Sequence, residues 1–237
     1  MLCHIIKFAL IFSVFLSNGW ALEYDEERST RLVLICGASC AGKSTLSKAL
    51  AKNLGDSWIV LDRDEWAENE NSEEKVDQLL IENILQSVDK GLKVIVDTQS
   101  FHPLSHALAE LQPFTIFLYT PLPKLIERDQ LRQQYRQRSE RRQRYARAFV
   151  LDTYVQLLTF EHEGNEHPLD CINPLDIEPD FAIFPIHEKT HQFLTQIMQA
   201  KEPLCVYPAA FYHKIIKGSS QPLNEAVHEI STSINNG

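Results

Sequence analysis

RLVLICGASCAGKSTLSKAL, residues 31–50, is the stretch that decides the fold. Arg31 to Cys36 is a short apolar run with β-branched residues, and it reads as a buried parallel strand. Gly37-Ala38-Ser39-Cys40-Ala41-Gly42-Lys43-Ser44 then fits G-x-x-x-x-G-K-[ST] at every fixed position. Thr45 to Leu54 follows as an amphipathic helix, with Leu46, Ala49, Leu50 and Leu54 at helical spacing. Each residue type has a physical reason. Gly37 and Gly42 let backbone N–H groups turn inward around phosphate oxygens where a Cβ would crowd them. The helix behind Lys43 adds the positive end of its dipole. Lys43 is expected to reach the β- and γ-phosphates of ATP, and the Ser44 hydroxyl to sit on Mg²⁺. The expected nucleotide-binding residues are Gly37, Ala38, Ser39, Cys40, Ala41, Gly42, Lys43, Ser44 and Thr45.

The chain has 237 residues, 44% of them apolar and 23% charged, enough for one α/β domain with a small extension. A net charge of −9 argues against general nucleic-acid coating. Five cysteines are too few and too scattered for a disulfide framework. Cys36 and Cys40 read as small buried fillers, and Cys171 and Cys205 can pair only if the fold brings them together. Met1 to Lys7 is weakly basic, Phe8 to Ser17 is apolar, and Asn18-Gly19-Trp20-Ala21 offers a small-x-small cleavage site. This is the plan of a secretory signal, and its apolar run is too short for a comfortable membrane span. Residues 1–21 are therefore expected to be a signal peptide and the chain to be exported, with no span left after cleavage. The alternative is a retained or mis-started segment on a cytoplasmic protein.

Residues 22–30 read as a charged linker, 31–200 as the folded domain, and 201–237 as an extension of uncertain structure containing a helix near 223–234. Strands are expected at Trp58–Leu61, Lys93–Asp97 and Phe114–Tyr119, with a fifth at Phe181–Phe184. Helices alternate with them: Ser72 or Asn71 to about Lys90, Pro103 to Leu111, Pro121 into an arginine-rich stretch, 149–160, and 188–200. Residues 162–179 read as a long irregular loop. Strands alternating with helices predict a three-layer α/β domain built on a five-stranded parallel sheet. Ligands of such sheets bind at the carboxyl ends of the strands. That rule selects Asp62 and Asp64 after the second strand and Asp97 after the third. A carboxylate there either holds Mg²⁺ or accepts a proton from a substrate hydroxyl. Asp97 closes the apolar run as a Walker-B-like acid and joins Ser44 as a metal residue. Arg128, Arg132 and Arg136 recur every four residues on one helix face and begin a run continuing through Arg138, Arg141, Arg142, Arg144 and Arg147. A solvated helix face explains most of them; Arg128 and Arg132 are the first candidates to touch phosphate. The histidines His102, His106, His162 and His167 show no zinc-ligand spacing.

Four segments in order, GASCAGKST, WIVLDRDEW, GLKVIVDTQ and FTIFLYTPLPKLIERDQLRQ, resemble the chloramphenicol phosphotransferase-like group of P-loop kinases. They also resemble the kinase domain of phage-type polynucleotide kinases, over roughly Arg31 to Leu158. The resemblance implies the five-stranded nucleoside-kinase-like fold, ATP and Mg²⁺ as cofactors, and an arginine-rich lid entered by Arg128 and Arg132. It also implies an aspartate base, which falls on Asp64. The chain departs from both groups after about Phe160, so the acceptor does not transfer. The expectation is an ATP/Mg²⁺-dependent phosphotransferase in which Lys43, Asp64, Arg128 and Arg132 act on a small-molecule hydroxyl. The rivals are a polynucleotide 5′-hydroxyl kinase, and an exported nucleotide-binding regulatory protein without turnover. The acceptor and the oligomeric state are not legible.

Overall fold

A computed structural model describes residues 30–64, 72–99, 104, 107–135, 140–161, 167–174 and 188–236. Five strands of the chain are β1 (Leu32–Cys36), β2 (Trp58–Asp62), β3 (Lys93–Thr98), β4 (Phe114–Tyr119) and β5 (Leu158–Thr159). Three more follow: β6 (Asp170–Ile172), β7 (Leu204–Pro208) and β8 (Lys214–Lys217). The helices are α1 (Lys43–Leu54), α2 (Glu73–Asp89), α3 (Leu122–Tyr135), α4 (Glu140–Gln156), α5 (Glu188–Gln199) and α6 (Leu223–Asn235). The main sheet runs β2-β3-β1-β4-β8, and every neighbouring pair is parallel.

β1 is apolar throughout because it is paired on both edges and covered on both faces, and no atom of Leu32–Cys36 reaches solvent. Its alternation splits the core. Val33 and Ile35 pack with Leu46 and Leu50 of α1 and Ile230 and Ile234 of α6. Leu32 and Leu34 face the other way, onto Leu80, Ile84 and Val88 of α2 with Leu104 and Leu108. Each such side chain contributes about 1.5–3 kcal/mol on burial. α2 starts where the sequence says it should: the Ser72 hydroxyl accepts from Lys75 N–H. Just beyond its end Gly91 turns left-handed at φ 80°. Among the described residues no helix is long and apolar enough to cross a membrane.

Three expectations change. The fifth strand of the sheet is β8, Lys214–Lys217, and residues 181–184 lie outside the described residues. Consequently residues 201–236 are not an appendage to a domain ending at 200. β8 extends the sheet beside β4, and α6 packs on α1, where the Ser231 hydroxyl donates to Asn53 Oδ1 at 2.8 Å. The loop expected at 162–179 contains β6, which with β5 and β7 forms a small antiparallel sheet. Cys171 and Cys205 face each other across β6 and β7 and form a disulfide. It joins residues 34 positions apart, a loop worth roughly 3–4 kcal/mol in chain entropy. The described parts of the arginine-rich stretch lie on α3 and α4, and residues 136–139 between them are outside the described residues. Residues 1–21, expected to be a signal peptide, and the expected linker through Ser29 lie outside the described residues, as do His102, His106, His162, Arg136 and Arg138.

Candidate active site

The crevice follows from sheet topology. β1 lies between β3 and β4, so the turn leaving its carboxyl end opens between two crossovers. Gly37 begins that turn pressed against β4: a Cβ there would meet the Leu118 carbonyl oxygen at 2.8 Å. Gly42 precedes α1 at φ 102°, a conformation L side chains rarely adopt. Between them Cys40 also takes a left-handed backbone, φ 65°, a costly position for a residue with a Cβ.

The parallel register sets Ile35 opposite Asp97, which brings the third strand's acid beside the phosphate loop. Ser44 donates its hydroxyl to Asp97 Oδ2 at 2.5 Å, and Lys43 Nζ lies 3.8 Å from Asp97 Oδ1. Lys43 Nζ also donates to the Ala38 carbonyl at 3.3 Å, folding the side chain over its own loop. Burial pushes the Asp97 carboxyl above the usual carboxylate range, while Lys43 and the Ser44 hydrogen bond pull it back. Asp62 pairs in register with Asp97 on the neighbouring strand, and its Oδ1 accepts from Asp64 N–H at 3.0 Å. That bond turns the chain out of the sheet and leaves Asp64 exposed at the mouth. Arg63, between them, is drawn away: its Nε donates to Asp77 Oδ1 of α2 at 2.7 Å.

These groups line one pocket of about 700 Å³. Lys43, Ser44, Thr45, Asp62, Asp64, Asp97, Arg128 and Arg132 all border it. The two arginines differ. Arg128 does not point freely into the pocket. Its Nη1 donates to the carbonyls of Ala41 at 2.8 Å and Cys40 at 3.3 Å, and its Nη2 to that of Gly218 at 3.3 Å. It ties the phosphate loop to the turn after β8. Arg132, one helical turn on, is exposed at the pocket edge. The side chains of Arg141, Arg142 and Arg144 are outside the described residues, so the expected lid is not seen.

A second pocket of about 350 Å³ adjoins the other side of the loop. Leu118, Ile216, Gly218, Leu223 and Ala226 give it apolar walls, with Arg128 at the boundary. It exists because β8 and α6 complete the fold, so a reading that ends the folded domain at 200 could not reveal it. Thr98 and Gln99 also line the larger pocket. They follow Asp97 directly, and the strand-end rule that selected Asp97 would have found them. Thr153 was missed with no comparable signal: the buried hydroxyl of this α4 residue accepts from Ser39 N–H at 3.0 Å across 114 positions.

Residues 33–148 match the model of an AAA domain family. No curated protein matches the chain by sequence. Solved structures of similar shape include a candidate kinase from Chloroflexus aurantiacus, 14% identical with TM-score 0.48, covering 89% of this chain and all of that one. A sugar kinase from Janibacter is 15% identical with TM-score 0.46, covering 88% and 96% of the two chains. Shikimate kinase from Bacteroides thetaiotaomicron is 18% identical with TM-score 0.44, covering 86% and 97%. With its phosphate loop between β1 and α1 and its five parallel strands, the domain has the α/β fold of a P-loop nucleotide-binding domain.

Proposed function

We propose that the chain is an ATP- and Mg²⁺-dependent phosphotransferase that moves the γ-phosphoryl group to a hydroxyl of a small molecule. The observation that carries this reading is the shared pocket: a phosphate loop with its lysine on one side, and two carboxylates leaving β2 on the other. Loop amides and Lys43 cradle the phosphates. Leu118, Ile216 and Leu223 suit the flat apolar faces of a nucleobase in the adjoining pocket, with Arg128 between base and loop. The Ser44 hydroxyl and the Asp97 carboxylate already touch, and two hard oxygens on one spot fit Mg²⁺, which keeps most of its remaining shell as water and phosphate. When bound, the ion neutralises charge on the phosphates. Asp64 is exposed where an acceptor would enter, so it accepts the hydroxyl proton as the oxygen attacks. Asp62 holds the Asp64 backbone and so aims it. Arg132 steadies phosphoryl charge from the α3 side.

The test is a paired measurement of ATP affinity and transfer rate, after a screen of hydroxyl acceptors with labelled ATP. Asp64→Asn should bind ATP nearly as the parent does and transfer more slowly by on the order of 10²–10⁴. Asp62→Asn should disturb both, because it loosens the turn. Transfer by Asp64→Asn at the parental rate would falsify the assigned base. A parent that binds ATP but phosphorylates no acceptor would favour a nucleotide-binding protein without turnover.

We place the working protein in an oxidising compartment. The Cys171–Cys205 disulfide supports this, because such bonds are rare where glutathione keeps thiols reduced. The signal-like start of the sequence agrees with it. Mature protein from the native host should begin at Leu22. Recovery of an intact Met1 terminus would remove the export reading.

A further inference from the structure

The strained centre of the phosphate loop is gripped from two sides. Cys40, left-handed at φ 65°, has its own carbonyl held by Arg128 of α3. The residue before it has its N–H held by Thr153 of α4. Nests of this kind collect their N–H groups toward phosphate, yet the Ser39 N–H turns outward to Thr153. The Thr153 hydroxyl is fixed in turn, because it donates to the Val150 carbonyl at 3.0 Å within its own helix. It therefore offers Ser39 a lone pair in one orientation.

The helix behind it is anchored as well. Tyr154, the next residue, meets the Tyr119 hydroxyl at 3.2 Å, and Tyr119 donates to Asp170 Oδ2 at 2.7 Å. Asp170 stands beside the disulfide cysteine Cys171 on β6. Burial raises both tyrosines above the usual phenol range, so they stay protonated and able to donate. A continuous set of contacts thus runs from the small sheet through α4 to the phosphate loop.

We infer that Thr153 is a positioning residue for nucleotide binding, which holds Ser39 so that Cys40 stays left-handed and the following amides face the phosphates. The inference rests on the nucleotide-binding reading of the pocket, but one of its tests does not. Thr153→Val keeps the shape and removes the acceptor, leaving the Ser39 N–H facing a methyl group. ATP affinity should fall by roughly 5–30-fold, the effect of one donor left unsatisfied. Thr153→Ser should restore it to within about threefold. The second readout is the rate at which a maleimide labels Cys40, measured without nucleotide in a Cys3→Ser background. Cys36 is silent there, since its thiol is fully buried and pushed up to about 12 by that burial. Relaxation of the loop should speed Cys40 labelling in Thr153→Val by roughly the factor lost in affinity, and Thr153→Ser should reverse it. A parental labelling rate in a folded Thr153→Val protein overturns the inference. A parent that binds no ATP while Thr153→Val still labels faster overturns the nucleotide reading and leaves Thr153 as the holder of the loop.

Discussion

At the scale of single residues, Lys43 and Arg128 divide two jobs that composition alone would assign to either. Lys43 is half free: it touches one carbonyl and one carboxylate, and both contacts can be exchanged for phosphate oxygens. Arg128 is committed to three carbonyls, and its planar fork suits several fixed acceptors better than an ammonium would. Lys43→Ala should therefore lower ATP affinity by about 1.5–3 kcal/mol, the range of a charge-assisted contact, with little effect on folding. Isothermal titration checks it; equal affinity in mutant and parent would remove Lys43 from the phosphate site. Lys43 could be found from spacing alone. The orientation of Arg128 could not, because the carbonyls it holds belong to a loop 88 positions upstream and a turn 90 positions downstream.

At the scale of elements, β8 shows how a weak strand is made. KIIK sets two isoleucines side by side instead of alternating and is only four residues long, so in isolation it competes with any turn. Its entry is fixed by His213, whose Nδ1 accepts from the Thr115 N–H at 3.0 Å at the start of β4. The ring proton then belongs on Nε2. A proton on Nδ1 would face a donor, and burial further lowers the His213 pKa from its ordinary 6.5. The sign follows directly. The unfolded chain takes up the proton first as pH falls, so this stability is complete above about 6.5 and is lost as pH drops toward the folded value. Urea unfolding between about pH 7.5 and pH 5 should show stability falling on the acid side. His213→Asn, which keeps an acceptor but does not titrate, should flatten that part of the slope. An unchanged slope would mean that another group controls it.

At the scale of the whole molecule, residues 201–236 contribute to the core. Val206, Ile216, Val227, Ile230 and Ile234 are all buried against the sheet or α1. At about 1.5–3 kcal/mol each, their loss matches the entire 5–15 kcal/mol margin of an ordinary domain. A chain stopped after Ala200 should show no cooperative unfolding transition by circular dichroism, whereas a protein with a detachable tail would unfold as the full chain does. The same segment closes the apolar pocket beside the phosphate loop, so truncation should also abolish nucleotide binding.

The sequence by itself determined the phosphate loop, the strands β1 to β4 and the acids at the carboxyl ends of β2 and β3. Those features are local: a strand's apolar run, a glycine before a lysine and a carboxylate after a strand are legible within a few residues. Only the tertiary structure decided which segment becomes the fifth strand, because KIIK is a strand by virtue of the β4 edge it joins, 98 positions away in the pairing of Ile116 with Lys214. It likewise decided that Cys171 meets Cys205, which depends on β6 and β7 sharing a register. The same holds for Thr153, an unremarkable hydroxyl on a helix until α4 is laid against the loop it holds. Periodicity records which face a residue presents; the partner on that face is set by closure of the chain, and no local pattern carries it.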